Sequence, residues 1–211
     1  MKILIDIGHP AHVHLFKNFA KLMQQKGHAV CFTCREKEFE TVLLKHEGFS
    51  YISFGKHYRT LRGKIRGLIK FTYLEIRTIK KFKPDILLSH GSVYAALAAF
   101  FTCRTHIAME DTGNSEQVRL YLPFTKAVLS PLSFHKDYGK KHIRYNAVHE
   151  WAYLNPKYFK ADASIRKKLR LSEHEPFAIF RFVSWTASHD KGHSGFSNEQ
   201  KVSLVNSLKK K

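Results

Sequence analysis

The sequence predicts an α/β fold: a Rossmann-like doubly wound parallel sheet, followed by the first βα unit of a second, incomplete domain. Two observations carry this. Short, continuously apolar runs recur through the first 130 residues, the pattern of strands buried on both faces. Between them lie stretches with helical periodicity, and a βα alternation builds parallel sheets covered by helices.

The elements follow in order. Lys2–Ile7 reads as a strand. Ala11–Lys26 reads as a helix with Leu15, Phe16, Phe19, Leu22 and Met23 on one face and Lys17, Lys21, Gln24 and Gln25 opposite. Gly27 suits the position just past a helix end. His28–Thr33 is a second strand, Lys37–His46 a helix stopped by Gly48, and Ser50–Phe54 a third strand. A long basic helix spans Thr60 to Phe82, and Pro84 stops it. DILLS (85–89) is strand four. Ser92–Phe101 is apolar all round and is expected to be deeply buried. THIAM (105–109), a helix over Ser115–Leu122 and KAVLS (126–130) complete the alternation. Beyond residue 140 the pattern loosens. A short helix falls in ADASIRKKLRL, PFAIFRFV (176–183) reads as a strand, 184–197 as a polar loop, and Asn198–Lys210 as a helix. The expected organisation is a Rossmann-like domain over 1–155, a linker segment over 156–175, and the start of a truncated second domain over 176–211.

Thirty-six Lys and Arg against seventeen Asp and Glu give a net charge of +19. That balance favours anionic partners: phosphorylated substrates, nucleic acid or an anionic bilayer. MetLysIleLeuIle interrupted by Asp6 is not a secretory h-region. The longest near-apolar run, Val93 to Cys103, is short of the about 20 residues a spanning helix needs. The expected location is therefore cytoplasmic, with a peripheral position on the inner face of the plasma membrane as an option. Cys31 and Cys34 lie three apart on a strand, which puts their thiols on opposite faces. No second pair completes a zinc site, so Cys31, Cys34 and Cys103 are read as reduced thiols.

The stretch GHPAHVH (8–14) follows the first strand. Ligands of open parallel sheets bind outside the carboxyl ends of the strands. Gly8 lets the backbone turn, Pro10 suits the first helical turn, and free N–H groups at the helix start favour an anion. His9 is placed for acid/base work or phosphate binding. His12 is either a binding residue or, like His14, simply faces solvent or packs. The spacing of His9, His12 and His14 does not converge on a metal, and no metal or other cofactor is required. GxGxxG and the Walker lysine motif are absent.

MKILIDIGHPAHVHLFKNF, KPDILLSHGS, YNAVHEWAYLNP and FRFVSWTASHDKG together resemble the prokaryotic family designated domain of unknown function 354, over essentially the whole chain. That family in turn resembles GT-B glycosyltransferases and UDP-N-acetylglucosamine 2-epimerases, which have two Rossmann-like domains around a cleft. The resemblance implies an N-terminal domain that offers the acceptor and a base, and a C-terminal domain that holds a nucleotide-sugar. Gly8 and His9 fall where GT-B enzymes have a Gly-rich or Gly-His loop. Lys83-Pro84-Asp85 followed by His90-Gly91-Ser92 resembles the epimerase stretch KPD…HGD. Ser92 stands where that family has an Asp, which weighs against epimerisation. Glu110, beside Asp111, falls on the Glu of the acidic HxEAG stretch. Arg181, Trp185, His189 and Asp190 resemble the loop that opens domain two.

These matches imply His9 or Glu110 as a base. They imply Gly8, His12, His90, Gly91, Ser92, Asp111, Arg181, His189 and Asp190 as substrate-binding. The plainer alternatives are that Ser92 starts a buried helix and that Glu110 and Asp111 cap one. The function implied is a glycosyltransferase-like, sugar-nucleotide-dependent enzyme for a cell-envelope or lipid-linked glycan, inactive alone if its donor domain is missing. Sugar-nucleotide epimerisation and a non-catalytic binding domain needing a partner are the alternatives.

Residues 56–83 contain ten Lys or Arg and one acid, Glu75. Leu61, Ile65, Leu68, Ile69 and Tyr73 or Leu74 recur at helical spacing. Such a helix either lies on an anionic membrane surface or packs on the sheet with a solvated basic face. Nucleic acid is the weaker partner, because the basic residues do not interleave with a stacking platform.

Overall fold

Strand β1 (Lys2–Ile7) is central because both of its faces are apolar. Ile3, Ile5 and Ile7 bury on one side and Leu4 on the other. The computed structural model describes residues 1–58, 60–113, 115–172, 174–182 and 194–209. The chain divides into two units, Met1–Lys160 and Ala161–Lys211.

In the first unit β1 is followed by α1 (Pro10–Gln25), β2 (Ala29–Glu36), α2 (Glu40–His46), β3 (Tyr51–Lys56), α3 (Leu61–Phe82), β4 (Ile86–His90), α4 (Val93–Phe101), β5 (Thr105–Met109), α5 (Ser115–Tyr121), β6 (Ala127–Pro131), β7 (His142–Tyr145) and the short α6 (Trp151–Leu154). The sheet order is β3-β2-β1-β4-β5-β6-β7. Every pairing is parallel. The order reverses between β1 and β4, and this switch point opens a crevice at the strand ends.

One core joins Ile3, Ile5, Ile7, Val30 and Phe32 to Val13 and Phe16 of α1 and Leu44 of α2. The other joins Leu4, Cys31 and Leu87 to Ile79 of α3 and Ala98 and Ala99 of α4. Each fully buried aliphatic or aromatic side chain contributes about 1.5–3 kcal/mol. Cys34 belongs to the first core and Cys31 to the second, so the two thiols do face opposite ways.

Several boundaries differ from expectation for physical reasons. β2 runs on to Glu36 and α2 starts only at Glu40, because the Lys37 and Glu38 N–H groups donate to the Glu40 carboxylate. β7, HIRY, escapes a periodicity reading because it is a short edge strand with no fully buried residue. α4 buries Ala95, Ala96, Ala98 and Ala99, but its last turn exposes Phe100 and Phe101. Four of the apolar residues read as one stripe of the basic helix, Ile65, Leu68, Ile69 and Tyr73, do not lie on its buried side. Gly63, Gly67, Phe71, Glu75 and Ile79 form the buried side instead, the two glycines against Tyr58.

The second unit contains α7 (Ser164–Lys168) and α8 (Asn198–Lys209). The strand expected over 176–183 is not formed in its described part. Residues 176–182 have no ladder partner among the described residues, and a strand exists only by pairing. Phe177 and Ile179 stand exposed. No helix among the described residues is long and apolar enough to cross a membrane.

Candidate functional site

The site grows from the carboxyl ends of β1, β4 and β5. After β1 the chain turns at Gly8. A Cβ there would sit 2.9 Å from an Arg35 Nη2, so any larger residue would force the guanidinium off its place on Asp6. Arg35, at the end of β2, donates from Nη1 to both Asp6 oxygens at 2.7 and 2.9 Å. Its guanidinium also lies 4.8 Å from the Tyr94 ring centroid. Beneath it Thr33 Oγ1 reaches Asp6 and Glu75. Burial, then the neighbouring Asp6, pushes the Glu75 carboxyl well above its usual range, so this triad holds one anion against one cation.

His9 caps α1: its Nδ1 accepts from the Ala11 N–H at 3.2 Å. Its Nε2 faces Glu38 at 3.8 Å, with both side chains part-exposed. Burial, then Lys37, lowers its pKa. His12 accepts from the Gly8 N–H. Burial, then His90, drives its pKa well below the usual value, so it is neutral at pH 7. Its ring stacks on His90 with centroids 4.6 Å apart. His14 points elsewhere, against Tyr153.

At the end of β4, Gly91 adopts φ +58, and a Cβ there would press on Tyr121 and Glu110. Ser92 caps α4 by accepting from the Ala95 N–H at 3.2 Å. After β5, Glu110 is buried, and its carboxylate accepts from Thr112 N, Thr112 Oγ1, Gly113 N and Tyr121 OH. It holds the 110–113 loop in shape. Asp111 beside it turns outward. One of its oxygens lies 2.9 Å from His90 Nε2 and the other 2.8 Å from His149 Nδ1. Hydrogen bonds from His149 and then His90 hold its carboxyl far below the usual carboxylate range. The His90 and His149 rings meet edge-on at 5.3 Å.

The structure thus brings together Gly8, His9, His12, His90, Gly91 and Asp111, with Ser92 and Glu110 behind them as backbone-fixing groups. Asp111 and His149 line a cleft of about 420 Å³ that also contains Gly113, Phe134 and Lys136. His149 is missing from the sequence reading, although it lies in the quoted stretch YNAVHEWAYLNP. Arg35 and Asp6 are missing too. Their signal is a charged residue inside an otherwise apolar strand. Arg181 lies in the second unit, near Phe182, Phe196 and Lys201. Trp185, His189 and Asp190 lie outside the described residues.

A parallel sheet with this order, helices on both faces and polar loops at the switch point defines a Rossmann-like α/β unit of the kind that forms GT-B N-terminal domains. The chain belongs to the DUF354 family of proteins of unknown function, whose family model matches residues 1–211. No curated protein matches. Among solved structures, MurG of Acinetobacter baumannii is similar at a TM-score of 0.55 and 17% identity, over 68% of this chain and 45% of that one. A MnaA–UDP co-structure from S. aureus is similar at 0.56 and 17%, over 80% of this chain and 51% of that one. The UDP-GlcNAc 2-epimerase of Neisseria meningitidis, bound to UDP-GlcNAc, is similar at 0.51 and 19%, over 62% and 40%. At these identities the likeness is one of fold. The chain spans about half the length of these structures or less.

Proposed function

We propose that the chain is the acceptor-side half of a GT-B-like, sugar-nucleotide-dependent glycosyltransferase acting on an anionic cell-envelope or lipid-linked glycan. The observation that carries this reading is the meeting of the β1, β4 and β5 loops at the switch point, where His9, His12, His90 and Asp111 gather. UDP and UDP-GlcNAc are what two of the similar structures hold.

In this reading His9 is the base. Burial keeps it unprotonated at pH 7. To take a proton from an acceptor hydroxyl, its Nδ1 releases the Ala11 N–H, a cap bond of about 1 kcal/mol. Glu110, saturated by four donors, is a positioning residue. Gly8, Gly91 and Ser92 let the backbone approach the substrate closely. Arg181, His189 and Asp190 serve the donor side. The leaving diphosphate is stabilised by basic side chains and helix N-termini, without a cofactor. The basic helix α3 rests on an anionic bilayer, on the inner face of the plasma membrane, and brings the site to a lipid-linked acceptor. In this reading the described strand-end loops supply the acceptor side of the cleft.

A thermal-shift comparison at fixed salt tests this. Polyprenyl-phosphate-linked glycans are expected to raise the melting temperature of the 211-residue chain, and UDP-, GDP-, CMP- and dTDP-sugars to leave it unchanged. Ligand at 100 times its dissociation constant stabilises by about 2.7 kcal/mol, a shift of roughly 5–10 °C. His9→Ala should retain the fold and weaken that response. Turnover of a nucleotide-sugar by this chain would contradict the half-enzyme reading. Conversion of UDP-GlcNAc to its 2-epimer would favour epimerisation, against which Ser92 now counts twice, as a non-acid and as a helix cap.

A further inference from the structure

We infer that His90, Asp111 and His149 form a binding site for a divalent transition metal ion of the zinc class. The site goes beyond the proposed transferase reading and does not depend on it. Two imidazole nitrogens and one carboxylate are the donor set such ions take, with positions left open for water or an exogenous ligand. Here His90 Nε2, His149 Nδ1 and an Asp111 oxygen all lie within 4.8 Å of one another. A tetrahedral ion with bonds of about 2.0–2.2 Å holds its donors about 3.3 Å apart. Asp111 turns one oxygen to each histidine, at 2.9 Å to His90 and 2.8 Å to His149, so an ion between the three opens those two contacts by a few tenths of an ångström, and the two imidazole nitrogens already lie within 4.8 Å of each other.

The three ligands come from separate segments, and packing fixes each before any ion arrives. His90 ends β4 and is clamped by the stacked His12 ring. His149 follows β7, is 6% exposed, and lies parallel to the Tyr145 ring at 6.2 Å. Asp111 follows the Glu110 anchor and is held between the two imidazoles by a contact to each. The cleft beside Asp111 and His149 supplies an entry path and room for a further ligand.

Cobalt(II) titration of the metal-free 211-residue chain, read by visible absorption and calorimetry, tests the inference. One equivalent is expected to bind with the absorption of a four- or five-coordinate ion, and zinc should displace it. Asp111→Asn and His90→Gln should each lower affinity more than the roughly 10–100-fold that outer-shell changes cost. Both should unfold at temperatures close to that of the parent, because neither leaves a cavity. His46→Gln, on an exposed helix end, should bind as the parent does. The inference is overturned if no saturable equivalent appears. It is equally overturned if the folded Asp111 and His90 variants bind like the parent, which would leave the trio as hydrogen bonds and place the ion among other histidines.

Discussion

A guanidinium buried between a carboxylate and a phenol ring is tolerated only while the carboxylate stays charged. Arg35 is in that position, 5% exposed against an Asp6 that is 1% exposed. Removing one partner of such a pair costs about 3–5 kcal/mol, because the other is left as an uncompensated buried charge. Arg35→Met is therefore expected to destabilise by that amount in urea unfolding. Adding Asp6→Asn should recover part of the loss, since the charges are coupled. Additive losses would show that the pair is not the unit described. His106 makes a second residue-scale prediction. Thr125 Oγ1 donates to the Tyr121 carbonyl and sits 2.9 Å from His106 Nδ1. Ser89 Oγ accepts from the Ser92 N–H and sits 2.9 Å from Nε2. This chain is satisfied by a neutral ring, and burial lowers the His106 pKa to about 4. The unfolded chain binds that proton first, so stability is complete above pH 6.5 and falls as pH drops toward 4. The loss approaches about 3 kcal/mol. Urea midpoints at pH 7.5 and 4.5 check it, and His106→Gln should flatten the slope. A slope unchanged in that variant would assign the acid sensitivity to other groups.

At the scale of elements, α3 carries the most unusual surface. Ile65 is 58% and Ile69 71% exposed, among Arg62, Lys64, Arg66 and Lys70 on the same exposed half. Near-surface cations contribute about 1 kcal/mol each on an anionic bilayer. The chain should therefore sediment with phosphatidylglycerol vesicles and not with phosphatidylcholine ones. Ile65→Asp with Ile69→Asp should cut that binding at least about tenfold while leaving the melting temperature within about 2 °C. Equal binding by that pair would remove the membrane role of this face. The helix was legible in the sequence, but its orientation was not. Its core side uses Gly63 and Gly67 under Tyr58, and Glu75 under Arg35, residues that apolar periodicity assigns outward. The same limit explains the site. Each loop at a strand end could be read from Gly8-His9, His90-Gly91-Ser92 and Glu110-Asp111. His149 could not, because its loop meets Asp111 only through the parallel placement of β7, a strand without an apolar run. Residues 176–182 show the reverse: strand composition with no ladder partner among the described residues.

For the whole molecule, the distribution of the core gives a test of its organisation. Among the described residues, all seven strands and all three buried clusters lie within Met1–Lys160. Near the end of that unit, Asn18 Nδ2 donates to the Ala152 carbonyl and His14 packs against Tyr153, which fastens α6 to α1. None of the described residues beyond 160 joins those clusters, and a unit with its own closed core folds on its own. A chain of residues 1–160 is therefore expected to unfold in one cooperative step, with a melting temperature within about 5 °C of the 211-residue chain, since the same apolar contacts set both. Removing residues 161–211 must also leave the His90–Asp111–His149 geometry intact, so cobalt affinity should be unchanged within about threefold. A shortened chain that fails to unfold cooperatively would mean that the second unit completes the first unit's core. A shortened chain that folds but loses the ion would mean that the second unit shapes the site rather than the core. The two outcomes separate because unfolding reads the sheet and its helices, whereas the ion reads three side chains at one end of it.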